Sequence, residues 1–323
     1  MTPTTPIAST ARITLKARRP ASAEAPLGAV AEALSTVAET LNLAARGLSG
    51  HSESPRLDAE LLLGKILELP RSGLAARSSE PVARDSARAY ASLIERRLAG
   101  APVAYLTGSR EFWSLPLLVT PAVLVPRPET ELLVELALEH LPRHRADSPA
   151  GQACRVLDLG TGSGAIALAL ASERPDARVT AVDISAPALE VAMQNSRNLG
   201  LTRIDWRLGS WFAPVLGERF DMIVANPPYI AAADPALETL AAEPALALCG
   251  GLTGLEALSA IAGGAAAHLR EGGRLVLEHG SDQAPAVQRL LASHGFTDIR
   301  SHSDLSDQPR VTLGIVHSHK EPS

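Results

Sequence analysis

The chain has 323 residues, 46% of them hydrophobic and 20% charged, which predicts about two globular domains and excludes wholesale disorder and collagen-like structure. A net charge of −5 gives the chain no general attraction to nucleic acid, and the longest clean apolar run, residues 165–171, is far shorter than the roughly 20 residues of a membrane span. The two cysteines, Cys154 and Cys249, exclude a disulfide scaffold and a zinc site, so we expect reduced thiols in a cytoplasmic protein without a bound metal.

Both ends of the chain have the composition of unstructured segments. Residues 1–27 are rich in Thr, Ala and Pro, and they include several basic residues but only one acidic residue, Glu24. This composition predicts a disordered basic arm and is less typical of an organelle transit peptide. Residues 317–323 predict a disordered tail.

Residues 28–101 carry the apolar spacing of three helices. The positions that carry it are Val30, Leu34, Val37 and Leu41, then Leu57, Leu61, Ile66 and Leu69, then Tyr90, Leu93, Ile94 and Leu98. Gly47 and Gly50 end the first helix, Ser54 and Pro55 begin the second, and Pro70 stops it. We expect a small helical bundle that carries no catalytic residues.

Residues 102–125 change character and predict a connector between the two domains. Two β-prone runs, Val103–Thr107 and Phe112–Val119, flank Gly108, which is the pattern of a β-hairpin. The chain then enters Pro126–Glu131 and a further helix.

Residues 126–316 alternate short apolar strands with helical segments. The strands are predicted at 156–159, 179–182, 204–208, 220–225, 274–277 and 311–315, and the main helices at 165–172, 255–269 and 284–293. Such alternation predicts an α/β domain with a parallel, doubly wound sheet and right-handed crossovers.

A glycine-rich run, Gly160-Thr161-Gly162-Ser163-Gly164, lies between the first of these strands and a helix. Glycines let the backbone turn sharply and approach a ligand closely, at the carboxyl edge of the sheet. Asp183 ends the next strand, where a carboxylate can accept both ribose hydroxyl hydrogens of a nucleoside. These residues predict a nucleoside cofactor site.

The loop alone leaves the identity of that nucleoside open. Gly160, Gly162 and Ala165 also fit the dinucleotide pattern, so a dehydrogenase is a rival interpretation. The adenosylmethionine form of the loop has an acid two residues before the first glycine and a glycine at the fifth position. Both are present, as Asp158 and Gly164, and they favour the methyl donor.

The run Asn226-Pro227-Pro228-Tyr229 follows the strand at 220–225, at the edge where ligands bind. The prolines stiffen the turn, so the Asn226 side-chain oxygen and a nearby main-chain carbonyl can accept both hydrogens of one planar NH2 group. Tyr229 adds an aromatic wall. Such a clamp aims a poorly nucleophilic nitrogen at a methyl donor and stabilises the charge that develops on it, which predicts methylation of an amide or exocyclic amine.

These motifs together resemble the protein-glutamine N5-methyltransferase family of the HemK/PrmC type, which modifies peptide chain release factors. The resemblance extends from about residue 28 to 315. It is carried by Arg56–Leu63, Pro102–Gly108, Arg110–Trp113, Pro126–Glu131, Asp158–Gly164 and Asn226–Tyr229.

The resemblance implies a class I, seven-stranded, adenosylmethionine-dependent methyltransferase domain and a helical N-terminal domain that helps grip the release factor. It also implies a cytoplasmic enzyme whose substrate serves translation termination. It implies that the loop 160–164, Asp183 and Trp211 bind S-adenosyl-L-methionine, and that Asn226 touches both cofactor and substrate. Residues 227–229 would complete the pocket for the glutamine of a Gly-Gly-Gln loop. The expected protein is a monomer that contacts neither nucleic acid nor membrane directly.

The sequence departs from the family pattern at two places. Ser210 stands before Trp211 where the family commonly has Asp, which puts a contact to the adenine in doubt. The segment between Asp234 and Glu243-Pro244 looks shorter than usual, so the fit of the substrate could differ.

Three other functions fit part of the same pattern. A methyltransferase that modifies a ribosomal-protein glutamine would share these motifs. A methyltransferase that modifies a nucleic-acid amine would usually need a basic face, which the net charge does not favour. A non-enzymatic module that binds release factors or ribosomes would need neither the glycine-rich loop nor the Asn226 turn. His140 and His144 are expected at the surface, and Phe112 and Trp113 at the domain seam. Arg127 is left outside the predicted site, as is Glu129.

Overall fold

The computed structural model describes residues 35–142 and 153–317, so the predicted basic arm, most of the predicted tail, and the helix positions Val30 and Leu34 lie outside the described residues. The first part is helical. Its helices are α1 (Val37–Gly47), α2 (Pro55–Leu67), α3 (Arg71–Ala76) and α4 (Arg84–Leu98). A capping box begins α1, in which Thr36 and Glu39 satisfy each other's backbone N–H groups.

The core of this helical part differs in detail from the predicted spacing. Tyr90 and Ile94 are buried as predicted, and they pack with Leu62 and Leu63. The predicted positions Leu57 and Leu61, in contrast, are 37% and 39% exposed. Helix α2 turns a different face inward because Asp58 is buried on it and pairs with Arg97 at 2.8 Å.

The predicted strand Val103–Thr107 is wrong, because these residues form a short helix, α5 (Val103–Thr107). Pro102 precedes it, and Gly108 ends it in the left-handed conformation at φ 81°. These two signals outweigh the β-branched composition of the run. A hairpin is present, with strands β1 (Ser109–Phe112) and β2 (Leu115–Leu118), but it turns at Trp113 and Ser114, inside the run predicted as one strand, and not at Gly108.

The rest of the described chain is one seven-stranded sheet with helices on both faces. Its strands are β3 (Arg155–Leu159), β4 (Arg178–Asp183), β5 (Asp205–Leu208), β6 (Phe220–Ala225), β7 (Leu269–Glu278), β8 (Phe296–Ser303) and β9 (Pro309–Val316). The helices of this part are α6 (Glu131–His140), α7 (Ala165–Glu173), α8 (Ala186–Leu199), α9 (Ala236–Thr239), α10 (Ala245–Leu248), α11 (Glu256–His268) and α12 (Ala284–Ser293).

The strand order is β5-β4-β3-β6-β7-β9-β8, and the first five strands are parallel while β9 is antiparallel to both neighbours. This order confirms the predicted class I methyltransferase architecture. Helices α6 and α7 pack on one face of the sheet, and α11 and α12 pack on the other. Among the described residues, no helix has the length and apolar character to cross a bilayer.

The topology fixes where a ligand can bind. Strands β3 and β6 lie side by side at the centre of the sheet, with Leu159 opposite Ala225 in the register. The glycine-rich loop and the Asn226 turn therefore leave the sheet next to each other at its carboxyl edge. In a doubly wound sheet this edge is the expected binding crevice.

Candidate active site

The glycine-rich loop adopts a conformation that its glycines alone allow easily. Gly160, Gly162 and Gly164 have φ values of 74°, 58° and 83°. The backbone N–H groups of Gly160 and Thr161 both donate to the Val182 carbonyl, at 2.8 and 3.1 Å. This pair of bonds pins the start of the loop to the end of β4, so that the loop curves around an open space.

Asp183 lies at the end of β4 and holds the loop from the other side. Its Oδ2 accepts the Gly162 N–H at 2.8 Å, and its Oδ1 accepts the Ser185 N–H at 2.8 Å. Burial raises the pKa of Asp183, and the backbone N–H groups of Ser185 and Gly162 oppose that rise. Each carboxylate oxygen keeps a lone pair for a further donor.

Asp158 lies beneath the loop. Its Oδ2 accepts the Thr161 hydroxyl at 2.6 Å, while its Oδ1 is buried and has no hydrogen-bond partner in the described part of the chain. Burial raises the pKa of Asp158 to about 7. The carboxylate thus supports the loop from below, through Thr161.

The Asn226 turn is held rigidly by residues that the sequence analysis did not identify. The Tyr229 carbonyl accepts the Gln283 side-chain N–H at 3.0 Å. A Cβ atom at Gly250 would stand 2.5 Å from the Pro228 carbonyl oxygen, so only glycine allows this close approach. In the sequence, the glycines at positions 250, 251 and 254 could have indicated that this segment packs closely against another part of the backbone.

The side chain of Asn226 makes one hydrogen bond among the described residues. Its Nδ2 donates to the Thr130 hydroxyl oxygen at 3.1 Å. The Tyr229 hydroxyl lies 3.5 Å from the Oε1 of Glu278, which is 1% exposed. Burial raises the pKa of Glu278 to about 7, and the Thr130 and Tyr229 hydroxyls and the charge of Arg310 oppose that rise.

The loop and the turn border one cavity of about 450 Å³. Of the predicted site residues, Gly160, Gly162, Asp183, Trp211, Asn226 and Pro228 line it. Thr161, Ser163, Gly164, Pro227 and Tyr229 do not line it, and they support the loop and the turn from behind. The volume lies in the range of small-molecule sites, roughly 300–1,000 Å³.

Trp211 forms one wall of this cavity beside Ser210. Its backbone has φ 44°, an uncommon value for a bulky residue. A Cβ atom at Gly160 would stand 3.7 Å from the Trp211 ring, so the ring faces the start of the loop across a narrow space. Ser210 also lines the cavity, which leaves a short hydroxyl at the position of the family's Asp.

A second wall joins two distant segments, 122–127 and 243–251. Arg127 forms an ion pair with Glu243, and the other oxygen of Glu243 accepts the Val125 N–H at 3.0 Å. Glu243 is only 6% exposed. Arg127 therefore fixes the connector against the segment after the Asn226 turn, while Glu129 is exposed to solvent.

Two aromatic residues and two histidines are predicted to lie outside the site. Phe112 is buried in the core of the methyltransferase sheet, and Trp113 packs against it with its indole N–H donating to Glu173 at 2.9 Å. His140 is partly buried, and its ring lies 3.0 Å from the Leu136 carbonyl. His144 lies outside the described residues. The part of the chain that the structure describes contains no cluster of side chains able to hold a metal ion.

Comparison with known proteins agrees with this geometry. Residues 39–108 match the family model of the PrmC N-terminal domain, and residues 150–309 match a methyltransferase domain model. A release factor glutamine methyltransferase of Xylella fastidiosa is 49% identical over 261 residues, which cover 80% of this chain and 92% of that protein. The protein of the same name from Escherichia coli is 44% identical over 265 residues, covering 81% of this chain and 93% of that protein.

The chain also has similarity to solved structures. The T. thermophilus 16S rRNA N2 G1207 methyltransferase, solved with AdoMet and guanosine, is 23% identical, covers 65% of this chain and 50% of that chain, and gives a TM-score of 0.48. The identity and coverage of the curated relatives confirm the family resemblance that the motifs indicated. The chain is a methyltransferase and belongs to the release factor glutamine methyltransferase family.

Proposed function

We propose that the protein methylates the side-chain amide nitrogen, N5, of the glutamine in the Gly-Gly-Gln loop of a peptide chain release factor, with S-adenosyl-L-methionine as donor. The observation that carries this proposal is the position of Asn226 in the same cavity as Gly160, Asp183 and Trp211. The names of the curated relatives support the substrate class.

The residues around the cavity fit this cofactor. Asp183 keeps free lone pairs on both carboxylate oxygens, which suits the two hydroxyl groups of a ribose. Gly160 leaves the space in front of the Trp211 ring open. When bound there, S-adenosyl-L-methionine supplies an electrophilic methyl group on a sulfonium.

Asn226 and the turn then act on the substrate carboxamide. Asn226 Oδ1 accepts one N–H of the glutamine amide, and a main-chain carbonyl of the turn accepts the other. The carbonyls of Tyr229 and Pro228 are occupied by Gln283 and by close packing against Gly250, which leaves those of Asn226 and Pro227. Two acceptors orient the nitrogen and stabilise its growing positive charge, so no strong base is needed before the methyl group is transferred.

Transfer of a labelled methyl group tests the proposal directly. We expect label on a release factor and none on the same factor when its Gly-Gly-Gln glutamine is replaced by alanine. Label on a ribosomal protein or on nucleic acid instead would reject the proposed substrate. The cytoplasmic location, the monomeric state and the absence of direct nucleic-acid contact stay predictions.

The role of Asn226 is tested in the same assay. Loss of a preorganised polar group at a centre of developing charge typically costs about 10²- to 10³-fold in rate. We expect Asn226→Ala to lose this much kcat while its circular dichroism spectrum stays that of the folded wild type. A wild-type rate in this variant would show that the amide clamp is misassigned.

A further inference from the structure

One wall of the cavity is made by a segment that has no regular structure of its own. The described residues 121–127 form no helix or strand, and Val123 and Leu124 within them line the cavity. In a helix or a sheet, backbone groups bind one another, whereas the buried backbone groups of an irregular segment need partners from elsewhere in the chain. The position of this wall therefore depends on the side chains that bind its backbone.

Two side chains bind the peptide groups on either side of Leu124. The Tyr105 hydroxyl donates to the Val123 carbonyl at 2.5 Å. The Oε2 of Glu243 accepts the Val125 N–H at 3.0 Å. The first bond fixes the peptide group before Leu124 and the second fixes the peptide group after it. The backbone of Leu124 therefore cannot rotate without disturbing one of these two bonds.

Tyr105 supports the wall by packing as well as by its hydrogen bond. Its side chain packs against a small apolar cluster that contains Val123 and two residues of α8, Ala188 and Val191. Ala188 also lines the cavity. Burial raises the pKa of Tyr105, and the charge of Glu243 raises it as well, so the hydroxyl keeps its proton and donates to the carbonyl.

We propose that Tyr105 and Glu243 are positioning residues, which hold Val123 and Leu124 in the place that a bound S-adenosyl-L-methionine requires of this wall. This inference rests on the proposed function. Neither Tyr105 nor Glu243 lines the cavity itself, so each acts on the cofactor only through the backbone that it binds. Because Tyr105 lies on α5, before the hairpin, the affinity for the cofactor depends on a residue outside the seven-stranded sheet.

Two matched tyrosine variants test the inference in the full-length protein. Tyr105→Phe removes the hydroxyl that binds Val123 and keeps the ring. The control Tyr90→Phe removes a hydroxyl that donates to the Ala59 carbonyl at 3.1 Å, inside the core of the helical part. A single neutral hydrogen bond contributes up to about tenfold to an equilibrium constant. We expect calorimetry to show S-adenosylhomocysteine binding about 3- to 10-fold weaker in Tyr105→Phe and unchanged in Tyr90→Phe.

Urea unfolding and steady-state kinetics separate positioning from a general loss of stability. Each variant loses one hydroxyl, so we expect both to unfold at urea concentrations close to that of the wild type. Tyr105→Phe should raise the KM for S-adenosyl-L-methionine by the same factor as the dissociation constant, with a smaller change in kcat. Equal affinity of Tyr105→Phe and the wild type for S-adenosylhomocysteine, or an equal loss of affinity in both variants, would overturn the inference.

Two variants at position 243 test the second bond. Glu243→Gln keeps an oxygen that can accept the Val125 N–H, whereas Glu243→Leu has none. We expect Glu243→Leu to bind S-adenosylhomocysteine about 3- to 10-fold more weakly than Glu243→Gln, and equal affinities would contradict the role of Glu243.

The wild type distinguishes this inference from the proposed function. A wild-type protein that binds no S-adenosylhomocysteine would overturn the proposed cofactor and this inference with it. A wild-type protein that binds it and leaves the release factor unlabelled would overturn the proposed substrate alone.

Discussion

Gly164, the last glycine of the loop between β3 and α7, is a position where the structure predicts a clear loss of stability from one added methyl group. Its φ of 83° is left-handed, which costs an alanine about 1–2 kcal/mol. A Cβ atom there would stand 3.1 Å from atoms of Leu168 and Trp206 and 3.2 Å from Ala192. Overpacking typically costs about 1–3 kcal/mol more, so we expect Gly164→Ala to lower the free energy of unfolding by about 2–5 kcal/mol.

Gly200 provides the matched control. It caps the end of α8 with a left-handed φ of 69°, and a Cβ atom there would meet nothing within 4 Å. Gly200→Ala therefore carries the backbone cost alone, about 1–2 kcal/mol. The difference between the two variants isolates the effect of crowding behind the loop.

Urea unfolding of both variants, followed by circular dichroism, measures this difference. Calorimetry with S-adenosylhomocysteine adds a second measurement, in which we expect weaker binding by Gly164→Ala and unchanged binding by Gly200→Ala, because only the first disturbs the loop that lines the cavity. If both variants lose the same stability, the neighbours of Gly164 give way freely, and the argument from close packing is refuted.

Three further predictions concern polar contacts around the cavity. Asn195→Leu removes three hydrogen bonds, two to the Leu118 backbone and one to the Ser163 carbonyl. We expect urea unfolding to show a free energy of unfolding lower by on the order of 3–5 kcal/mol, whereas the exposed control Asn198→Leu changes it little. Arg127→Met leaves the carboxylate of Glu243 unpaired, and we expect faster limited proteolysis of residues 231–249, which the double variant with Glu243→Gln partly reverses; cleavage at the wild-type rate would contradict this role. Because the pKa of Glu278 is raised from 4.5 to about 7, the folded state holds this proton more tightly, and the unfolding free energy of the wild type should fall relative to Glu278→Gln as pH rises from 4.5 to 7; parallel pH curves would contradict this.

The pH prediction depends on every charged group that acts on Glu278. Arg310, on β9, favours its charged form, and Glu129, which precedes α6, disfavours it. The hydroxyls of Thr130 and Tyr229 stabilise the carboxylate, but burial outweighs all of them. The comparison with Glu278→Gln cancels the contribution of Asp158, whose pKa is also raised to about 7 and which is present in both proteins.

The central strands could be predicted because buried parallel strands consist of nearly continuous runs of apolar residues. The strand β6 was predicted with its observed bounds, Phe220–Ala225. Strand β8 was missed because it is an edge strand whose polar residues outnumber its apolar ones, with Asp298 at φ 48° interrupting it. Residues 103–107 were assigned to a strand because composition was weighed above the flanking Pro102 and Gly108.

A candidate site could be predicted where neighbouring residues in the sequence carry the motif, and the prediction is incomplete where contacts join distant residues. The glycine-rich loop and the Asn226 turn are short runs, so a reader of the sequence meets their residues together. The hydrogen bond between Asn226 and Thr130 joins residues 96 positions apart, and that between Tyr229 and Glu278 joins residues 49 apart. No periodicity or spacing in the sequence predicts such pairs, because the fold of the sheet brings them together.

The connector is bound to the cavity by side chains and not only by its own hairpin. Asn195, on α8, pairs with the backbone of Leu118 as a neighbouring strand would, and its remaining N–H reaches the Ser163 carbonyl in the glycine-rich loop. Glu243 binds Val125 and Arg127 in the same manner on the other side. Each of the two side chains therefore joins the connector to a segment that borders the cavity. The connector, which follows the helical part of the chain, is thus tied by side chains to the residues that shape the candidate site.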